Sequence, residues 1–549
     1  MPEFDLLIRG GQVLDGSGKP AFRADVAIRQ GRVVELGELG RSSAPAVLDA
    51  GGLTVAPGFI DSHGHSDFAL AVNPPAESQL AQGFTTEVGG NCGVSAFPLF
   101  SDNRGVEFDP PGVPVTWTDI DGYGRTLREQ GIGINFVPQV GHMTLRQHVL
   151  RGEDRPAGED EIRRLENMVR EAVAAGARGF STGLDYAPTR ESTTEEVVRL
   201  VRAAREAGGF YSTHIRGYGA GFPQALAEAL TVGRKAGAKV IVSHIGAVGV
   251  SRGRGRWAVE TMEEARERGL RVACDMMLYP TSGVWWGPRA VLPEWAYNWR
   301  CPWADEVRRL RSFLGDGILR ARLRADVEER RARPKAGFDE ESMVFSSWED
   351  IWLEEVGPGS RYHRFVGLSL GEAARRLSSD PGSLYLSLIA SEGEDLSTVH
   401  RSIAPADFDA FLADPWTMVG TDTVGTAIER SSEPFNVIQA HPRHYGTTAR
   451  LLGLLVRDRG ALSLAEAVRR LTSLPASFYG LEDRGLLLSG AWADVVVFDP
   501  STVSEVGNYG RPRAYPRGFV HVLVNGVAAV KDGRPKGARA GQLLARSAV

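Results

Sequence analysis

The chain has 549 residues, 42% apolar and 24% charged, with a formal net charge of -5, the composition of a large globular protein. Nothing in that balance predicts a nucleic-acid partner or attraction to an acidic membrane surface. Three cysteines, Cys92, Cys274 and Cys301, cannot form a disulfide framework, the opening stretch lacks the basic and apolar regions of a signal peptide, and no apolar run reaches the ~18 residues of a membrane span, so the expected location is cytoplasmic.

In chain order, the first segment predicts short strands at Phe4 to Ile8, Ala24 to Ile28 and Arg32 to Leu36, separated by glycine turns. The last segment has the same texture, at Ala493 to Phe498 and Phe519 to Val524. Neither end buries much alone, and together they predict one small β-sandwich domain, from residues 1–56 and 471–549. Between them lie eight strand-like runs, centred on Ala56–Ile60, Thr85–Val88, Ile134–Val140, Gly179–Thr182, Tyr211–Thr213, Val240–Ser243, Val272–Met276 and Thr417–Gly420. Amphipathic helices alternate with them; Ile162, Leu165, Met168, Val169 and Val173 form one apolar stripe of helical period. The expectation is an α/β fold, a (β/α)8 TIM-type barrel over residues 57–470. An open doubly wound sheet is the alternative that the strand pattern alone leaves. Residues 280–416, with clustered tryptophans and a charged helix from Glu306 to Arg331, are too long for one connection and read as an insertion on the barrel's C-terminal face.

The chemistry-bearing residues stand at strand ends. An apolar strand runs into His63-Gly64-His65, and residues i and i+2 of an extended chain point the same way, so both imidazoles can face one ion. His214 ends the fifth run and His244 the sixth. A lone strand-end histidine is usually structural, but in a barrel these ends converge. Asp422 ends the eighth run; its plain role is a helix N-cap, and beside a metal-bound water it is a general base.

This order of ligands resembles the amidohydrolase superfamily, many of whose members bridge two metals with a carboxylated lysine. No lysine lies between Lys19 and Lys235, so a substitute is needed, and Cys92, on a glycine-rich loop after the second strand, is the candidate. The stretches GFIDSHGHSD, GFTTEVGGNCG, GARGFSTGLDYAP, YSTHIR, VSHIG, LYP, WTMVGTD and HPRHYGT, taken in order, resemble the N-acyl-D-amino-acid deacylase (D-aminoacylase) branch over nearly the whole length. That resemblance implies a zinc-dependent hydrolase of C–N amide bonds acting on a small-molecule N-acyl substrate. It assigns Cys92, His214 and His244 to one tightly bound Zn2+. His63 and His65, with Cys92 and Asp422, go to a second and weaker metal position, and Asp422 to the general acid/base. Tyr279 and Arg443 are assigned to the substrate carboxylate. The family's lysine two residues after the sixth-strand histidine is Gly246 here, and Trp285 falls near a family serine that binds the carboxylate, so a cyclic amide or imide is the alternative substrate. A metal-dependent lyase or isomerase is the alternative of another class, and self-association into a homo-oligomer is left open.

Overall fold

The structure is a computed structural model that describes residues 3–40, 42–100, 115–280, 292–296, 303–332, 347–428, 441–509 and 511–546. Its centre is a closed barrel of parallel strands, Phe59–Asp61, Phe84–Val88, Asn135–Val137 continuing as Gln139–Gly141, Gly179–Gly183, Phe210–His214, Val240–Val242, Val272–Met276 and Thr417–Val419. Closure is made by the amide of Ser62 donating to Val419 O at 3.1 Å and that of Asp422 donating to His63 O at 2.7 Å. A sheet that closes leaves no open edge, which removes the doubly wound alternative.

The third barrel strand differs from the single run expected over Ile134–Val140. Pro138 has no N–H to give a ladder, and the strand breaks there. Its first half pairs with Phe84–Val88 and its second with Gly179–Gly183.

Inward side chains of the strands fill the barrel. Ile60, Val88, Val137, Phe210, Ile241, Ala273 and Met418 form one buried cluster with Leu474, Ala476, Phe478 and Tyr479. These last come from the helix Ser473–Tyr479, which plugs the N-terminal mouth beside Phe210; the Tyr479 hydroxyl donates to Ser62 O at 2.8 Å. The segment after 470 thus contributes to the barrel as well as to the terminal sheet.

Both chain ends meet in one nine-stranded sheet, in which Val495–Phe498 pairs antiparallel with Thr54–Pro57 and joins the N-terminal strands to the C-terminal ones. Strand alternation gives the sheet two faces. Val495, Val497 and Leu523 pack with Ile8, Val26, Val33 and Val55, while Val496, Phe498, Val522 and Val524 pack toward the barrel. The strands expected to stack as a sandwich are therefore continuous in hydrogen bonding, and the β domain encloses its own core on one side.

Residues between the seventh and eighth barrel strands build a separate core that includes Leu310, Leu323, Leu353, Tyr385 and Leu388. The single charged helix expected from Glu306 to Arg331 is two, Trp303–Gly315 and Gly317–Ala332. Asp316 between the flanking glycines starts the second by accepting from the amides of Ile318 and Leu319. An antiparallel pair of strands, Ile351–Glu355 and Ser397–His400, carries the chain back, and the Ile403 amide donates to Pro280 O at 3.3 Å. The helix Pro405–Ala413 then leads into the eighth strand.

Candidate metal centre

The first barrel strand ends in Asp61, which is fully buried and accepts from the amides of His63 and Thr421 and from the Thr421 hydroxyl. That clasp ties the start of the barrel to its end and fixes the chain on which both histidines ride. Gly64 between them has no room for a side chain: a Cβ there would stand 2.3 Å from Glu87 Cδ. Glu87 in turn holds the amide and hydroxyl of Ser66, each at 2.8 Å.

Cys92, His214 and His244 leave three different strands and meet. Cys92 Sγ lies 3.3 Å from His244 Nε2 and 3.8 Å from His214 Nδ1, and the two ring nitrogens are 3.1 Å apart. His63 Nε2 is 3.4 Å from the same sulfur. Cys92 and His244 adopt left-handed backbone, with φ of 52° and 32°, as does Asp422 at 51°. Such geometry costs about 1–3 kcal/mol per residue outside glycine and is retained where the surrounding fold imposes it, commonly at functional sites.

Asp422 stands across from this group. Its Oδ1 is 3.1 Å from His65 Nε2 and 3.8 Å from His63 Nε2, and its Oδ2 is 3.4 Å from Arg443 Nη2. Burial opposes ionisation of this carboxyl, but Arg443, the His65 hydrogen bond and the neighbouring imidazoles hold it well below the usual carboxylate range. Burial likewise drives the imidazoles toward neutrality: His63 is pushed down to about 3, His244 to about 4, and His214 well below its ordinary value. The neutral ring is the form that ligates a metal. Burial pushes the Cys92 thiol up, an effect a bound cation reverses by stabilising the thiolate.

Two residues not singled out from the sequence join the site. The Tyr186 hydroxyl lies 3.1 Å from His214 Nδ1, and Asp275 Oδ1 lies 3.4 Å from His63 Nδ1. Each had a signal: Tyr186 follows the fourth strand's C-terminal end, and Asp275 is an acid inside the apolar run Val272-Ala273-Cys274-Asp275-Met276. Neither signal gives a partner without the fold.

Of the expected substrate residues, Arg443 is buried beside Asp422, and its Nε and Nη2 have no hydrogen-bond partner among the described residues. Tyr279 is also buried, but its hydroxyl donates at 2.5 Å to Glu505, a carboxylate that Arg450 holds at 3.2 Å. Tyr279, expected at the substrate's carboxylate, thus bonds to a residue from the C-terminal segment in this structure. Gly246 sits against the inserted segment, with Ile403 Cδ1 3.1 Å from where a Cβ would be. Trp285 lies outside the described residues.

The donor set fits zinc. Ligand atoms about 2.0–2.3 Å from a tetrahedral ion stand roughly 3.3–3.7 Å from one another, close to the spacings of the sulfur and nitrogens here. Two overlapping groups have that proximity, His63 with Cys92 and His244, and His63 with His65 and Asp422, and His63 is common to both.

The model of the amidohydrolase family matches residues 46–294 and 404–530. The chain belongs to the amidohydrolase family. An N-acyl-D-glutamate deacylase of Alcaligenes xylosoxydans xylosoxydans is 33% identical over 100% of this chain and 97% of its own. The structure of N-acyl-D-glutamate deacylase from Bordetella bronchiseptica, complexed with zinc and a phosphonate mimic of the tetrahedral intermediate, matches with a TM-score of 0.76. It is 31% identical and covers 99% of this chain and 100% of its own. A D-aminoacylase with a binuclear metal centre, described by one-metal activation and second-metal attenuation, matches at a TM-score of 0.75. It is 29% identical, over 99% of this chain and 100% of its own. The interrupted family match leaves out the inserted segment, the same stretch that builds its own core.

Proposed function

We propose that this amidohydrolase is a zinc-dependent deacylase that hydrolyses N-acyl-D-amino acids to a carboxylate and a D-amino acid. The observation that carries the reading is the meeting of Cys92, His214 and His244 with Asp422 opposite and Arg443 behind it. Cys92, His214 and His244 would hold the tighter zinc, and His63 and His65, with Cys92 and Asp422, the weaker one. Zinc, when bound, supplies a Lewis acid that polarises a carbonyl and acidifies water. Asp422, kept ionised by its neighbours, accepts a proton from the attacking water and returns it to the leaving nitrogen. Tyr186 aims a hydroxyl at the same region and donates to the carbonyl oxygen as negative charge develops there. Arg443 is the cation for the substrate's carboxylate, since its planar fork can bind both oxygens.

A second reading has one observation in its favour. Tyr279 is engaged by Glu505, which leaves fewer donors for a carboxylate and suits a cyclic amide or imide. Assay of N-acyl-D-amino acids, their L-enantiomers and cyclic imides separates the two. Turnover of the D-series alone supports the first reading, and turnover of imides alone overturns it. Asp422→Asn is expected to abolish turnover while zinc stays bound; activity retained in that variant removes Asp422 from its role.

No described helix is long and apolar enough to cross a membrane. The cytoplasmic reading rests on cysteine usage, and Cys92 and Cys274 are both unpaired.

A further inference from the structure

We propose that Asp275 is the positioning residue that sets the tautomer of His63, and so controls how tightly the second metal position is held. The inference rests on the reading of His63, His65 and Asp422 as that position. Asp275 lies in the seventh barrel strand, Val272–Met276, between the strand that ends at His244 and the one that leads to Asp422. It is an acid only 1% exposed, in a strand otherwise made of Val272, Ala273, Cys274 and Met276.

Its carboxylate does two things at once. Oδ1 accepts from the His244 amide at 2.7 Å, which helps to hold that residue in its left-handed conformation. The same oxygen is 3.4 Å from His63 Nδ1. His63 Nδ1 is buried with no hydrogen-bond partner among the described residues, and the Asp275 carboxyl is the acidic group beside it. The hydrogen bond made by one imidazole nitrogen sets which nitrogen is left to ligate. A proton on Nδ1, facing Asp275, leaves the Nε2 lone pair directed at Cys92 and Asp422, 3.4 and 3.8 Å away. His63 is the member shared by both groups of ligating atoms, so one carboxylate behind it biases the occupancy of the second. Close packing fixes the approach: a Cβ on Gly420 would stand 2.6 Å from His63 Cβ and 3.1 Å from Asp275 Oδ1.

The test compares the full-length wild type with Asp275→Asn, which keeps an acceptor for the His244 amide and loses the charge behind His63. Zinc is titrated into metal-stripped protein against a competing chelator. Nitrogen-15 spectra of the metal-free histidines report the His63 tautomer, and the melting temperature of the metal-free forms reports folding. The expectation is a second zinc weakened about 10- to 100-fold, a first zinc still stoichiometric, and a Nδ1-protonated His63 that becomes a mixture of tautomers. Asp275→Glu, with the charge restored, is expected to recover part of the second affinity. An Asn variant that binds the second zinc as tightly as wild type overturns the proposal. A wild type that takes up only one zinc overturns the two-position reading instead, and the tautomer then decides: a His63 protonated alike in wild type and variant overturns the proposal too.

Discussion

At the N-terminal mouth of the barrel, Phe210, Ile241 and Met418 meet Phe478 and Tyr479 in a buried apolar plug. At the other mouth, three or four residues further along the same strands, the chain presents His214, His244 and Asp422. One end stores packing energy, and the other holds polar groups that burial penalises, in backbone conformations that cost free energy. The difference teaches that stability and chemistry are separable along each strand: the plug can tolerate the cost of the site because the two do not share side chains.

Mutations at each end test how complete that separation is. The largest effect is expected from Cys92→Ser. Its turnover should fall by more than about 100-fold, beyond what loss of a supporting residue costs, and zinc content should fall with it. The melting temperature of the metal-free protein should barely move, and a large drop there would mean the sulfur also serves the core. Phe478→Ala is the mirror experiment. It should cost about 3–5 kcal/mol by denaturant unfolding, while zinc stoichiometry and KM stay at wild-type values. Loss of zinc in that variant would break the comparison.

Gly64→Ala probes the seam between the two ends. The added methyl must displace the buried Glu87 that holds Ser66. Strain of about 1–3 kcal/mol and weaker metal binding are expected together, measured by unfolding and by zinc titration. The smallest effect lies at the plugged mouth. Burial, with Arg271 and Arg178 adding, pushes Lys239 down to about 8 from 10.5. Its folded-state value is depressed, so the unfolded chain binds more protons between those values, and stability should rise with pH across that window. Lys239→Met should lose that rise, read from denaturant midpoints at pH 8 and 10; an unchanged pH slope would show that the group is solvated.

The barrel was legible because several buried parallel strands are short apolar runs ending in a polar residue, as in Val240 to His244. The break at Pro138 and the split at Asp316 are also written in the sequence, as a proline and a pair of glycines, but the apolar and charged runs on either side continue across them and hide the breaks. The glycine-flanked Cys92 and the His63-Gly64-His65 run carried their own signals. Tyr186 had only its place after the fourth strand, with nothing to name His214 as its partner, and Glu505 had no signal, because its partner Tyr279 lies in a segment distant in the chain.

The sequence by itself determined the alternation of strands and helices, the inventory of imidazoles, thiol and carboxylates, and their stations at strand ends. Periodicity and strand termini are local properties. Only the tertiary structure decided which atoms face each other: Asp275 behind His63, Tyr186 beside His214, Glu505 on Tyr279, and Ile403 over Gly246. Those pairings follow from barrel closure, strand register and the docking of the inserted and C-terminal segments, all set by packing between elements that are not neighbours in the chain.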